Sequence, residues 1–143
     1  MKIYVSTVVE KDGKFILVKE NKEQCYGKWN IPSGHVEDNE FITSAAVREV
    51  KEETNFDVEL TGLIAVYNNM FENFNSISFI YSCKITKNNK ISFNRNEIIE
   101  TKWFTFEELK NMKEELRDYD YIIEAIRRYR DNDIKPLNTI IIR

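Results

Sequence analysis

Three glutamates, Glu49, Glu52 and Glu53, lie three and four residues apart near the middle of the chain. On an α-helix this spacing places Glu52 about 60° to one side of Glu49 and Glu53 about 40° to the other. Carboxylates this close repel one another, so the helix is disfavoured unless a positive charge lies between them. Mg²⁺ and Mn²⁺ prefer carboxylate oxygens and can bridge them to substrate phosphates. The trio therefore predicts a metal-dependent site for a phosphate ester or anhydride.

The residues around the trio predict the helix that carries it. Asp38 or Asn39 is expected to cap its N-terminus, with Glu40 in the first turn, where a negative charge complements the helix dipole. Asn55 suits the left-handed conformation that ends many helices. Arg48 is two turns from Glu40, too far for a direct pair within one helix. It could still tether the loop before the helix or orient a nearby glutamate.

The segment from Gly34 to Phe56 resembles the signature of the Nudix family, G-x5-E-x7-R-E-U-x-E-E-x-G-U, where U is a bulky aliphatic or aromatic residue. Only Asn55 departs from the nine defined letters, since the family pattern has glycine there. The matching residues are Gly34, Glu40, Arg48, Glu49, Val50, Glu52, Glu53 and Phe56. The string at 29–34 resembles the W-x-U-P-G-G that precedes the signature, with Ser33 in place of the first glycine. Residues 97–104 resemble the family's last strand, so the resemblance covers roughly the whole chain.

The resemblance implies an α/β fold, a Nudix-type α/β/α sandwich with a mixed β-sheet, formed by a single domain over residues 1–143. It also implies Mg²⁺, with Mn²⁺ as a substitute, to neutralise phosphate charge and acidify a bound water. The expected metal ligands are the side chains of Glu49, Glu52 and Glu53 and the carbonyl oxygen of Gly34.

The same resemblance indicates the catalytic residues. One carboxylate should deprotonate the attacking water, and Glu53 is favoured for this role. Glu97 is the rival, because a glutamate a few residues before the last strand often takes part in metal binding or base chemistry in similar proteins. Glu52 and Arg48 complete the predicted catalytic set.

Four residues are candidates for substrate contacts. His35, the only histidine, adjoins the metal loop and could contact a phosphate, or it could be an ordinary loop histidine. Trp29 could form a wall of the pocket, or it could be a core tryptophan at the end of a strand. Phe71 and Phe74 could stack on a flat ring, such as a nucleobase or a pyrimidine, or could cover the edge of the sheet.

Two strings, at 29–37 and at 124–137, resemble a branch of the family that acts as phosphatases. That resemblance implies release of inorganic phosphate from hydroxymethylpyrimidine pyrophosphate, thiamine pyrophosphate, and nucleoside di- and triphosphates. The alternative is a pyrophosphohydrolase that acts on dinucleotides, nucleotide sugars or damaged nucleoside triphosphates and releases a nucleoside monophosphate. A non-catalytic nucleotide sensor is a weaker third alternative, because such a domain would be expected to lose the carboxylate trio.

The bulk composition limits the classes of partner. The 143 residues carry a net charge of −3, which gives no basic footprint for a nucleic acid polymer, so a small phosphorylated metabolite or nucleotide is expected instead. Cys25 and Cys83 form no metal or redox pattern and suit free thiols in a reducing cytosol. Without a signal segment or a long apolar run, the chain is predicted to be cytoplasmic and not membrane-bound. A homodimer could form through the N-terminal edge strands or the apolar residues 139–142, or the latter could fold back on their own sheet.

Periodicity predicts the elements that position these residues. Strands are expected over residues 2–9, 15–19, 56–67, 76–86 and 98–104. Helices are expected over about 39–54 and 120–130, with a capping box at Thr105 and Glu108 opening a further helix. Hairpin turns are expected at 11–14 and 87–90, and loops at 20–28 and 68–75.

Overall fold

The computed structural model describes the whole chain, from Met1 to Arg143. The strands are β1 (Lys2–Val8), β2 (Glu10–Lys11), β3 (Lys14–Glu20), β4 (Trp29–Asn30), β5 (Ser33–His35), β6 (Asp57–Met70), β7 (Asn75–Lys87) and β8 (Ile98–Thr105). The helices are α1 (Ile42–Thr54), α2 (Phe106–Lys110) and α3 (Tyr119–Arg130), with 3-10 turns at Glu23–Cys25 and Leu137–Thr139. No helix combines the length and the apolar character that crossing a membrane requires.

Two sheets form the middle layer. The first has the order β5-β1-β7-β6 and is mixed, because β1 and β7 run parallel while the two outer pairs are antiparallel. In the second sheet, β3 pairs antiparallel with β2, β4 and β8. The β2–β3 hairpin turns through Asp12 and Gly13, whose φ values of 52° and 79° are those of a type I′ turn. The turn predicted at 11–14 is therefore confirmed.

The core lies on both faces of these sheets. Successive strand residues alternate between the faces, so Ile16 packs on the α1 side while Phe15 and Leu17 pack on the α3 side. The buried helix residues in the two clusters are Ala45, Ala46 and Val50 of α1, Leu109 of α2, and Ile122, Ala125 and Ile126 of α3. Helices buried against opposite faces make the domain an α/β/α sandwich with a mixed sheet, which confirms the predicted fold class.

Half of the loop predicted at residues 68–75 is strand. β6 continues to Met70 and β7 starts at Asn75, so only residues 71–74 connect the two strands. The cross-strand partners include Asn69 with Ser76, which shows that polar side chains extend the hairpin instead of ending it. The prediction was wrong because it read polar residues as a loop, although their backbone groups pair in the ladder.

The segment at 87–90 is not the hairpin turn that was predicted. The next strand, β8, pairs with β3 and not with β7, so the chain leaves the first sheet here. Asn89 Nδ2 donates to the carbonyl oxygen of Asn55 at 2.9 Å, and Asn55 Nδ2 donates to the carbonyl oxygen of Lys90 at 2.8 Å. The segment therefore packs against the end of α1.

The C-terminal residues fold back on the first sheet through a single bridge. The backbone N–H and carbonyl groups of Lys135 and Leu63 exchange hydrogen bonds of 2.9 and 2.8 Å. Residues 139–142 form no strand, and Leu137 and Ile140 instead pack on the α1 side of the core. The strand that residues 139–142 were expected to add to their own sheet is therefore absent, and the chain returns to the sheet at Lys135 instead.

Candidate functional site

Helix α1 begins later than predicted, and this explains the position of Arg48. Neither Asp38 nor Asn39 caps the helix, which starts at Ile42 without a side-chain cap. Glu40 therefore lies outside the helix and not in its first turn. From there its carboxylate accepts two hydrogen bonds from Arg48, at 2.7 Å from Nε and 2.9 Å from Nη2. The prediction that these residues are too far apart to pair was wrong, because it placed both in one helix.

Arg48 ties the loop before α1 to the carboxylates on the helix. Its Nη2 donates to the carbonyl oxygen of His35 at 3.0 Å. Its Nη1 lies 2.8 Å from Glu49 Oε1 and 3.2 Å from Glu52 Oε2. The hydrogen bond from Arg48 also lowers the pKa of Glu40, which keeps that carboxylate ionised. Both predicted roles of Arg48, tethering the loop and orienting a glutamate, match these contacts.

Glu49 lies directly over Gly34. A Cβ at residue 34 would come within 2.5 Å of Glu49 Oε2, and closer still to its carboxyl carbon, so only glycine leaves room for this carboxylate. The side chain of Glu49 is 13% exposed. Burial raises the pKa of Glu49 to about 7, although the hydrogen bond and the charge of Arg48 act against the rise. The helix thus presses a partly desolvated carboxylate against the backbone of β5.

Glu53 is the most deeply buried of the three glutamates, with 5% of its surface exposed. Its Oε1 accepts the backbone N–H of Ser33 at 2.9 Å. Burial raises the pKa of Glu53 well above its usual value, and the charges of Glu49 and Glu20 add to the rise while the Ser33 bond opposes it. A buried carboxylate with one neutral donor lacks the positive charge that usually accompanies such burial.

Glu52 is the most exposed of the three carboxylates and shares the Nη1 group of Arg48 with Glu49. Its side chain is 49% exposed and pairs with Arg48. No group of three acidic, histidine or cysteine side chains is arranged as a metal cluster in the structure. The structure therefore brings Glu49 and Glu53 together beside β5, and Arg48 bridges Glu49 to the third predicted ligand, Glu52.

Sequence reasoning missed another buried carboxylate, that of Glu20 at the end of β3. Arg117 Nη1 lies 3.0 and 3.2 Å from its two oxygens. Asn30 Nδ2 donates to it at 3.2 Å, and the Cys25 thiol donates at 2.6 Å. Glu20 and Arg117 are 97 residues apart in the chain, so no local motif marks the pair. The available signal was an acidic residue at the end of a strand whose central residues, 15–18, are apolar.

His35 is exposed at the end of β5, and its ring lies 4.6 Å from that of Tyr4. Burial lowers the pKa of His35, and the charges of Lys22, Lys2 and Arg117 lower it further. The charge of Lys22 also acts on the acidic pair of α1, where it lowers the pKa of Glu49 and of Glu53 against the larger effect of burial.

Two other predicted site residues have different surroundings. Trp29 lies in the core, where it is 8% exposed and meets Phe104 edge to face at 5.0 Å, so it does not line a cleft. Glu97 is exposed, and its carboxylate makes no hydrogen bond or ion pair. The carbonyl oxygen of Glu97 accepts the N–H of Asn21 at 2.8 Å, so its backbone lies beside the end of β3.

A cleft of about 580 Å³ opens between α3 and β6. Tyr67 and Tyr121 form its aromatic wall, with ring centroids 4.8 Å apart. The polar lining consists of Asn69, Asp118, Asp120, Glu124 and Arg127. Glu124 pairs with Arg127 and with Arg128, but Asp118 and Asp120 make no ion pair, so the cleft keeps an acidic side that favours ligands with amino groups or a positive charge.

Phe71 and Phe74 lie at the tip of the β6–β7 hairpin. Their ring centroids are 4.8 Å apart, and the residues are 53% and 37% exposed. Lys2 Nζ lies 4.3 Å from the centroid of Phe74, within cation–π distance. The two rings therefore form an exposed aromatic patch that a flat ligand could contact.

Comparison with known proteins identifies the family. The model of the NUDIX domain matches residues 2–125 of the chain. Nudix hydrolase 1 of Caenorhabditis elegans is 32% identical over 111 residues, which cover 78% of this chain and 30% of that protein. The ADP-ribose pyrophosphatase of Methanocaldococcus jannaschii is 37% identical over 65 residues, covering 46% of this chain and 38% of that protein. The chain thus spans about a third of the length of these curated relatives.

A solved structure agrees with the family match over the full length. A NUDIX hydrolase from Nitrosomonas europaea superposes with a TM-score of 0.87 at 25% identity, covering 99% of this chain and 97% of that one. The similarity therefore includes the elements that hold Glu49 and Glu53 beside β5. The chain belongs to the Nudix hydrolase family.

Proposed function

We propose that this protein is a metal-dependent hydrolase that cleaves a phosphate anhydride and releases inorganic phosphate. Its substrates would be nucleoside di- or triphosphates, or pyrimidine and thiamine pyrophosphates. The observation that carries the proposal is the pair of carboxylates on α1, the partly buried Glu49 and the buried Glu53, packed beside Gly34 and Ser33 with one ion-paired cation, Arg48 on Glu49, for the two of them. Removing two carboxylates from water is costly unless cations offset their charge.

The residues present fit a hard divalent cation such as Mg²⁺ or Mn²⁺ by their chemistry. Glu49 and Glu53 supply buried oxygens, and the carbonyl oxygen of Gly34 is the further donor expected at β5. Glu52 could join them by leaving its half-exposed pair with Arg48. When bound, the ion would neutralise phosphate charge and lower the pKa of a bound water.

Glu53 is our candidate for the general base. Its Oε1 is engaged by the Ser33 N–H, which leaves Oε2 available to accept a proton from the attacking water. Arg48 would keep α1 in register with β5 through its bonds to Glu40, Glu49 and the backbone of His35. Glu97 remains the rival base, but its carboxylate is exposed and without partners.

The acidic cleft supports a substrate with a nitrogen-bearing ring. Tyr67 and Tyr121 could contact the face of such a ring, while Asp118, Asp120 and Glu124 could accept hydrogen bonds from amino groups. Aminopyrimidine and thiamine rings have this chemistry, as the resemblance of residues 29–37 and 124–137 to NudJ phosphatases suggests. Phe71 and Phe74 are proposed as a second stacking contact, and His35 as a phosphate contact.

A second candidate function is a nucleotide pyrophosphohydrolase that releases a nucleoside monophosphate. The names of similar proteins favour it: one is an ADP-ribose pyrophosphatase, and a structure with a TM-score of 0.75 at 23% identity is a UDP-X diphosphatase. A relative from Danio rerio that is 41% identical over 51 residues is an 8-oxo-dGDP phosphatase, which agrees with the first candidate.

The product distinguishes the two candidates. The purified protein should be incubated with Mg²⁺ or Mn²⁺ and a panel of thiamine pyrophosphate, nucleoside di- and triphosphates, ADP-ribose and UDP-sugars. Inorganic phosphate is expected as the product, and ¹⁸O-labelled water should enter the phosphate that is released. Nucleoside monophosphate from ADP-ribose or a UDP-sugar would support the second candidate instead. Tight binding of a nucleotide without turnover would indicate a sensor.

A variant tests the role of Glu53. Glu53→Gln keeps the shape of the side chain but removes its basicity, so turnover should fall by about 10²- to 10⁴-fold while the protein stays folded. The matched control is Glu59→Gln, an exposed glutamate of β6 that pairs with Lys84. Activity of Glu53→Gln close to that of the control would remove Glu53 from the role.

A further inference from the structure

Ser33, whose N–H holds the Glu53 carboxylate, belongs to a row of hydroxyl groups that crosses the α3 side of the sheet. Ser33 Oγ lies 2.7 Å from Ser6 Oγ, and Ser6 Oγ lies 2.9 Å from Tyr121 Oη. The row ends where Ser33 Oγ donates to the carbonyl oxygen of Ile31 at 2.7 Å. Two hydrogen bonds thus connect the tyrosine of the cleft wall to the strand that contacts Glu53, and a third runs on to Ile31.

The final acceptor fixes the direction of every bond in this row. A hydroxyl has one hydrogen, and that of Ser33 is used on the Ile31 carbonyl, which can only accept. Ser33 must therefore accept from Ser6, and Ser6 must accept from Tyr121. Reversing the row would break the bond from Ser33 to the Ile31 carbonyl oxygen at a partly buried position, which is costly.

The row adds a support to β5 at the Ser33 side chain, beside the bond that Arg48 makes to the carbonyl oxygen of His35. β5 is a three-residue strand at the edge of its sheet and pairs only with β1. Tyr121, in contrast, lies in the first turn of α3, where its N–H is capped by Asp118 at 3.2 Å. The row therefore connects a short edge strand to the capped first turn of α3.

We propose that Tyr121 is a positioning residue for catalysis, which acts through Ser6 and Ser33 to hold the Glu53 carboxylate in place. The proposal rests on the function proposed for Glu53. It also explains Ser33, which stands where the family pattern has a glycine: a glycine would supply the N–H to Glu53 but not the hydroxyl that completes the row. Since Tyr121 also forms the cleft wall, one side chain contacts both the ligand space and the support of the carboxylate.

The test is a double-mutant cycle on Tyr121→Phe and Ser6→Ala, which remove single hydroxyl groups and little else. Each single variant should lower kcat about fivefold, the equivalent of one neutral hydrogen bond of about 1 kcal/mol, with KM nearly unchanged. The double variant should be no slower than either single variant, because either change interrupts the row. The matched control is Tyr129→Phe on the same helix, whose hydroxyl donates to Glu10 at 2.9 Å outside the row and whose loss should leave kcat unchanged.

A second readout does not depend on activity. In the metal-free protein, the Ser33 amide proton should exchange with solvent several-fold faster in Tyr121→Phe than in Tyr129→Phe, as measured by NMR. An unchanged Ser33 amide, or a double variant slowed about 25-fold by independent effects, would overturn the proposal. If the wild type hydrolysed no phosphate anhydride, the function proposed above would fail, and the amide exchange would still decide the role of Tyr121. If Glu53→Gln abolished turnover while Tyr121→Phe changed neither kcat nor the amide, only the positioning role would fail.

Discussion

Gly34→Ala should damage the site far more than the fold. The added Cβ would lie 2.5 Å from Glu49 Oε2 and closer to the carboxyl carbon, whereas ordinary contacts begin near 3.5 Å. The carboxylate must therefore move by about 1 Å or more, which lengthens its 2.8 Å bond to Arg48 beyond hydrogen-bonding distance. Gly34 has no positive φ, so alanine adds no backbone strain. Displacement on this scale can lower kcat/KM about 100-fold.

The expected loss of stability is small, about 1 kcal/mol, because it reflects one partly exposed charged hydrogen bond. Gly62→Ala is the matched control. Its Cβ would be 3.0 Å from the Lys135 carbonyl oxygen and closer to Ile134, so overpacking should cost about 1–3 kcal/mol while kcat/KM stays unchanged. Denaturant unfolding and steady-state kinetics on both variants give the comparison. If Gly34→Ala kept wild-type kcat/KM and Mn²⁺ affinity, the placement of Glu49 would not matter for the reaction.

Three further outcomes are expected. In the metal-free protein, burial raises the pKa of Glu49 to about 7 and that of Glu53 well above 4.5. The free energy of unfolding is therefore greatest below the pKa of the unfolded chain and falls as pH rises towards 7. Thermal melts should show a loss on the order of 2 kcal/mol, which Glu53→Gln should reduce and Mg²⁺ should reverse. Arg117→Ala leaves the buried Glu20 without its cation, but Arg117 is 45% exposed and Glu20 keeps two other donors. Urea unfolding should therefore show a loss of about 2 kcal/mol in the free energy of unfolding. A loss under about 0.5 kcal/mol would mean that the pair contributes little to stability. Phe74→Ala should raise KM about five- to tenfold for ring-bearing substrates and leave it unchanged for inorganic triphosphate; equal effects on both would rule out stacking.

Much of the fold could be predicted because its signals are local. Alternating residues marked the strands, and the capping box at Thr105 and Glu108 is present as predicted. Asn55 adopts the left-handed conformation expected of it, with φ 74°. These features depend on neighbouring residues alone, so one sequence contains the information that determines them.

The features that sequence reasoning missed depend on partners far along the chain. The start of α1 is set by Glu40 pairing with Arg48 from outside the helix, which local capping rules do not include. Segment 87–90 has the composition of a turn, but its course is decided by β8 pairing with β3. Glu20 and Arg117 are 97 residues apart in the chain and are neighbours only through the tertiary fold.

The asparagine that replaces the signature's glycine at residue 55 has a mechanical consequence. A glycine would supply the same backbone shape, but it could not reach across to the Lys90 carbonyl as the Asn55 amide does. Arg48 bonds to Glu40 before the first turn, so both ends of α1 are hydrogen-bonded to segments outside the helix. A shift of α1 along its axis would break the hydrogen bonds at both ends together. These bonds therefore keep the carboxylates of α1 at a fixed position relative to β5.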